Sequence, residues 1–313
     1  MSRAPDSELV ALLLTQRLVE ADPPPLKASE FWSLVDSVSD LAVLLGLGPA
    51  DVSEAAKVDA SMSARIVARL DQATSFAFAL DDAQQSGLRI LSALGDDFPP
   101  ALRGKLGRSA PPLLYALGDV GLLSRGGLGV VGSRAVSETG AEVARLAATA
   151  AVAAGLGVLS GGAKGVDRLA MNAALDARGH IVGVLADSLL RTARDPEVRK
   201  AVSDGLVCLC SPYKPTAGFT VANAMGRNKL IYAMSTATLV VECEEGSGGT
   251  WAGAAEALRS KTTPVIAWMG PGATPGNHAL VRLGARPLEH LDDLLPISPL
   301  EPRPAPAQLG FGF

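Results

Sequence analysis

The sequence predicts an α/β protein: a doubly wound, mostly parallel sheet preceded by a small N-terminal helical domain. Three observations carry this. From Leu128 onward, short Val/Leu/Ile runs alternate with longer segments of helical spacing, the pattern of parallel strands buried on both faces. Glycine-rich turns lie where these apolar runs end or where the next helix starts. The N-terminal part shows helical periodicity and no strand-like alternation.

Residues 1–80 read as a helical cap. Val10, Leu13, Leu14 and Leu18 recur at helical spacing, as do Leu34, Val35, Val38, Leu41, Leu44 and Leu45. The Ala21-Asp-Pro-Pro-Pro25 break separates the first two helices, and Gly46-Leu-Gly-Pro49 ends another. Nothing in this region carries chemistry, so it reads as a packing or interaction module. Residues 81–127 form a connector with short strands at Leu88–Leu91 and Leu113–Leu117, punctuated by Phe98-Pro-Pro100 and Ala110-Pro-Pro112. Residues 128–295 are the regular part. Strands are expected at 128–131, 155–159, 181–185, 206–210, 238–242 and 264–268. Helices are expected at 138–154, 166–177, 196–202, 221–234 and 250–259. Residues 296–313 carry Pro299, Pro302, Pro304 and Pro306 and are expected to be extended and disordered. They end in Leu309-Gly-Phe-Gly-Phe313, which reads equally as a docking peptide or a frayed end.

Composition narrows the function. A chain of 313 residues with 48% hydrophobic and 19% charged residues is long enough for one sizeable core and an appended domain. The formal charge of −4 gives no global attraction to nucleic acid, so any such contact needs a local basic patch and must be salt-sensitive. Cys208, Cys210 and Cys243 fall in apolar runs without zinc spacing and read as buried thiols of a reducing compartment. With only His180, His278 and His290, metal or histidine-base catalysis has poor raw material, and no metal or cofactor is expected. Met1 to Val10 lacks the basic-then-apolar pattern of a secretory signal. The uncharged run from Leu146 to Ala163 is nearly long enough to cross a bilayer, but the Gly155 and Gly157 break reads as a helix, a turn and a short strand. The protein is expected to be cytoplasmic, with no membrane contact.

Four motifs bear the chemistry. Ser160-Gly-Gly-Ala-Lys-Gly-Val-Asp167 lies between a strand and a helix; its backbone N–H groups, the helix N-terminus and Lys164 suit an anion, a phosphate above all. Ser160, Gly161, Gly162, Lys164 and Gly165 are the candidate contacts, and Asp167 reads either as a first-turn carboxylate or as a ligand contact. Gly129-Val-Val-Gly-Ser-Arg134 offers a turn at Gly132, a hydroxyl at Ser133 and a forked donor at Arg134. Gly226-Arg-Asn-Lys229 places Asn228 between the cations Arg227 and Lys229 on a helix. Glu242 to Trp251 opens another helix with Gly246, Ser247, Gly248, Gly249 and Thr250, which can cap it or hold phosphate. Trp251 reads as buried against the sheet or as a base-stacking ring. No G-x-G-x-x-G with a ribose-reading acid is present, which argues against a dinucleotide dehydrogenase. Lys164 is followed by Gly165 rather than Ser or Thr, so the P-loop pattern is absent.

Taken in order, Val130-Val-Gly-Ser-Arg134, Ser160-Gly-x-Ala-x-Gly-x-Asp167, Arg227-Asn-x-x-Ile231, Val240-Val-Glu242 with Ser247-Gly248, and Val265-Ile-Ala267 to Gly270 resemble the DprA/Smf family of DNA-processing proteins. Ile90-Leu91, Phe98-Pro-Pro-Ala-Leu102, Pro111-Pro-Leu-Leu-Tyr115, Gly118 and Leu122-Leu123 resemble that family's lead-in, so the likeness covers roughly residues 87–295. The resemblance implies a Rossmann-like domain that binds single-stranded DNA, forms a homodimer and helps load a RecA-like recombinase during natural transformation, with no catalytic residues and no cofactor. It places Arg134, Lys164 and Arg227 to Lys229 along the DNA groove, with contacts from Ser133, Ser160 and Gly161. The chain departs from the family pattern at Lys164 and Lys229, where arginine is usual, and at Met171, where histidine is common. Gly246-Ser-Gly-Gly-Thr250 also resembles the G-G-x-G-T loop of the LOG phosphoribohydrolases, which implies an alternative: a nucleoside monophosphate hydrolase or a nucleotide sensor. Against that pattern, Ser247 replaces a glycine, and Gly253 stands where a glutamate is expected, with Glu256 further along.

Overall fold

A computed structural model of the chain describes residues 5–20 and 22–297. What the sequence suggests for the Pro-rich segment beyond 297, including its aromatic end, lies outside the described residues.

Five helices come first: α1 (Pro5–Thr15), α2 (Ala28–Ser37), α3 (Pro49–Ala56), α4 (Ala60–Leu70) and α5 (Ala73–Gln85). Then follow β1 (Leu88–Ser92), α6 (Pro100–Leu106), β2 (Leu113–Gly118), β3 (Leu128–Val131), α7 (Glu138–Ala153), β4 (Val158–Ser160), α8 (Val166–Asp176) and β5 (Ile181–Val184). The remaining elements are α9 (Leu189–Thr192), α10 (Pro196–Ser203), β6 (Val207–Ser211), α11 (Val221–Met234), β7 (Ala237–Val240), α12 (Gly248–Ser260), β8 (Val265–Trp268), α13 (Pro275–Arg282) and β9 (Arg286–Leu288).

The strands form one sheet in the order β1-β2-β6-β5-β4-β3-β7-β8-β9. From β6 to β9 every neighbouring pair is parallel; β1 pairs antiparallel with β2, and β2 antiparallel with β6. Side chains alternate between the faces, as a pleated strand requires. Leu128 and Val130 enter the core under α7 and α8, while Val131 enters the core under α11 and α12. Cys208 and Cys210 share a face, as their spacing predicts, with Leu209 on the other. Helix α7 packs through a stripe of Ala144, Ala147, Ala148 and Ala151, small enough for close approach to sheet and neighbour. It starts where Ser137 caps it, the hydroxyl accepting the Gly140 N–H at 3.0 Å. The N-terminal helices have their own core, built around Phe31, Trp32, Leu14 and Ile66. Arg69 on α4 is fully buried there and donates to the Leu13 and Gln16 carbonyls at 2.9 and 3.0 Å, satisfying acceptors that the end of α1 would leave open.

Helix α11 spans the expected residues, and most other boundaries differ from the sequence reading by one to three residues. Helices α6, α9 and α13 and strand β9 were not expected. They are 7, 4, 8 and 3 residues long, too short for a periodic signal. Proline opens both α6 and α13, where its missing N–H costs nothing, although the same residue reads as a break along the sequence. Among the described residues, no helix is long and apolar enough to cross a membrane.

Candidate nucleic-acid interface

Parallel strands bring their carboxyl ends to one rim. From β3 the chain winds outward through β4, β5 and β6, then returns through α11 to β7 on the other side of β3. The direction of winding reverses between β4 and β7, flanking β3, and ligand crevices in such sheets form there. The segments after β3, β4 and β7 are three of the glycine motifs. Because α11 follows β6, its first turns start from that same rim, which brings in the fourth.

Two of the loops are locked together. The Val166 N–H donates to the Ser133 carbonyl at 3.2 Å. Gly165 has φ +87°, and a Cβ there would run into the backbone of Ser133 and Arg134, so only glycine allows this approach. Asp167 is buried and accepts the Gly161 N–H at 3.1 Å. Burial pushes its carboxyl above the usual range, opposed by the Arg227 guanidinium and by the Ala163 and Gly161 N–H groups.

Arg227 reaches this loop from α11. It is only 4% exposed, with Nη1 3.7 Å from Asp167 Oδ2. A Cβ on Gly161 would overlap the guanidinium, so that glycine is what lets the arginine lie against the loop. Its Nε–H has no acceptor among the described residues. Burial lowers its pKa, and Asp167 counters this. Arg227 therefore braces the Gly161–Asp167 loop.

Above it lies a cavity of about 650 Å³ lined by Arg134, Lys164, Arg227, Gly161 and Gly162. Arg168, Arg191 and Phe219 also line it, as do the carboxylates Asp187, Asp195 and Glu197 on the α9–α10 side. Arg191 is paired with Asp187, whereas Arg134 and Lys164 are exposed. The Arg134 guanidinium lies 4.9 Å from the centroid of the Phe219 ring. The exposed cations and the glycine backbone together are chemically suited to an anion, and Met171, Leu185 and Leu209 also line the cavity.

The other expected residues sit elsewhere. Gly132 packs against Val166, and its carbonyl accepts the Thr250 hydroxyl at 3.0 Å. The Ser133 hydroxyl accepts the Ala135 N–H, and the buried Ser160 hydroxyl donates to the Val130 carbonyl at 2.6 Å. Ser160 is thereby committed to the protein, while Ser133 keeps its O–H donor. Asn228 donates to the Gly249 carbonyl at 3.0 Å, joining α11 to α12. Lys229 pairs with Glu256 at 2.9 Å and lines a separate cavity of about 270 Å³ with Gly226, Gly249 and Gly253. Two residues along a helix point about 200° apart, which is why Arg227 and Lys229 part company. Gly246 and Gly248 have φ of +73° and +78°. Ser247 occupies the N-cap position of α12 without a side-chain capping bond. The exposed Glu244 and Glu245 flank that turn, and Trp251 is half-buried against the core. Sequence reasoning missed Arg168, Arg191 and Phe219. Arg168 was findable as an exposed cation in the first turn of α8, and Phe219 as an aromatic just ahead of the Thr220 cap of α11.

A family model described as DNA recombination-mediator protein A matches residues 89–298. The chain belongs to this family. A putative DNA processing protein DprA of Mycobacterium tuberculosis is 32% identical over 237 residues, covering 69% of this chain and 60% of that protein. Protein Smf of Escherichia coli is 29% identical over 220 residues, covering 67% of this chain and 58% of that protein. The chain thus spans about 60% of the length of these curated relatives. The crystal structure of DprA from Streptococcus pneumoniae superposes with a TM-score of 0.71 at 23% identity, covering 93% of this chain and 97% of that one. DprA from Helicobacter pylori, whose structure is described for its single-stranded DNA binding mode, gives a TM-score of 0.55 at 20% identity, over 66% of this chain and 93% of that one. These two likenesses establish the shared fold.

Proposed function

We propose that this chain binds single-stranded DNA, without reading its sequence, in the cavity between the β3, β4 and α11 segments. One observation carries the reading: Arg134, Lys164 and Arg227, 93 residues apart at the extremes of the sequence, line the same cavity with the Gly161–Gly162 backbone. Arg134 and Lys164 neutralise phosphates, and Arg227 holds the glycine loop open for close approach. The single-stranded DNA binding described for the Helicobacter pylori relative supports the same assignment. On this reading the chain is a DprA-like accessory protein rather than an enzyme. It works as a homodimer in the cytoplasm and assists a RecA-like recombinase during DNA uptake.

The test is a titration of labelled oligonucleotides of unrelated sequence, single-stranded and duplex, with a nucleoside monophosphate incubated in parallel. Salt-sensitive binding of all single strands, weaker duplex binding and no release of free base are expected. Base release, or no binding of any strand, would overturn the reading.

A further inference from the structure

Phe219 is unusual for a large apolar residue: it is 49% exposed at the lip of a cationic cavity. Burying such a side chain is ordinarily favourable, and here nothing covers it fully. Its place in the chain is set by the helix that follows. It directly precedes Thr220, whose hydroxyl accepts the Asn223 N–H at 3.0 Å to cap α11, the helix that carries Arg227. The Arg134 guanidinium lies near its face, 4.9 Å from the ring centroid, in the range of a cation–π contact. A phenyl ring half in water, beside exposed cations and a glycine loop, is the arrangement that holds a base next to its own phosphate.

We propose that Phe219 is the stacking platform for one base of the bound strand, with the neighbouring, exposed Arg134 meeting the adjacent phosphate independently of the ring. This inference rests on the single-stranded-DNA reading above and names the residue that grips the base. Trp251, the aromatic that the sequence suggested for stacking, is half-buried against the core and does not line this cavity. Every base has a π face, so such a platform adds affinity without reading sequence.

The experiment compares the parent protein and Phe219→Ala on an oligothymidine and on an abasic strand of equal length, which keeps every phosphate and lacks the bases. Phe219→Ala is expected to weaken oligothymidine binding roughly tenfold and to leave abasic-strand binding unchanged. The salt slope is expected to stay that of the parent, because no phosphate contact is lost. Phe219→Trp should restore oligothymidine binding, and its added indole emission should be quenched by the strand. An equal loss on both strands would overturn the proposal and leave Phe219 only a positioner of Arg134. Parent-like binding of Phe219→Ala to both strands would also overturn it, leaving the patch of Phe219, Val221 and Met225 to a protein partner. If the parent binds neither strand, the DNA reading itself falls, and this inference with it.

Discussion

The two glycine-rich loops after β4 and after β7 look alike in sequence and differ in what surrounds them. The Ser160–Asp167 loop is braced from below by a buried arginine and overlooked by the exposed Arg134 and Lys164. The loop after β7 has its own left-handed glycines, yet Glu244 and Glu245 flank it, and its nearest cations, Lys229 and Arg282, are engaged by Glu256 and Glu245. Glycine makes an anion seat possible. Exposed positive charge not engaged by a carboxylate is, among the described residues, what the first loop has beside it and the second lacks.

The largest expected effect separates the two arginine-and-lysine neighbours of α11. Arg227→Ala would leave the Asp167 carboxyl buried without its partner, a change costing about 3–5 kcal/mol. Denaturant unfolding should show that loss, with DNA affinity falling more than tenfold. Lys229→Ala removes one member of a half-exposed pair, worth at most about 1 kcal/mol, and should leave binding within about twofold of the parent. Equal losses in the two variants would erase the distinction between the loops.

The glycines sharpen it. Gly161→Ala drives a methyl group into the Arg227 guanidinium and should weaken DNA binding by more than about tenfold, as displacement of the brace would. Gly246→Ala meets nothing within 4 Å, so its cost is the positive φ alone, about 1 kcal/mol of stability, with DNA affinity unchanged. Paired titrations and unfolding curves check both.

Smaller still is the expected reactivity of the thiols. Burial pushes the Cys210 and Cys243 thiols up to about 12 and that of Cys208 further. All three are buried, and Cys243 stands at the base of the acidic loop. A thiol reagent at mildly alkaline pH should modify none of them in the native protein and all three after denaturation. Rapid native labelling of Cys243 would show that this side of the rim opens.

The sheet was legible because buried parallel strands leave a strong signal: apolar runs at 128–131, 181–185 and 206–210 alternate with helices. The cation cluster was legible in part. Arg134 and Lys164 follow strand ends directly, and strand ends share a rim. What the sequence could not show was the direction of side chains on α11, where Arg227 turns inward and Lys229 turns away. The fate of the hydroxyls was equally hidden. Ser160 and Thr250 look available in a glycine-rich string, but folding gives each a backbone carbonyl, on Val130 and Gly132. Phe219 escaped notice because a lone aromatic in a loop has no periodicity, and only its place at the cavity lip makes it informative.

The most direct measurement is the salt dependence of single-strand binding by the parent, Lys164→Ala and Lys229→Ala, between roughly 50 and 200 mM salt. Loss of one phosphate contact should flatten the slope for Lys164→Ala by about 0.7, while Lys229→Ala keeps the parent slope. A parent slope in Lys164→Ala, or a flattened one in Lys229→Ala, would contradict the placement of the DNA seat over the β4 loop.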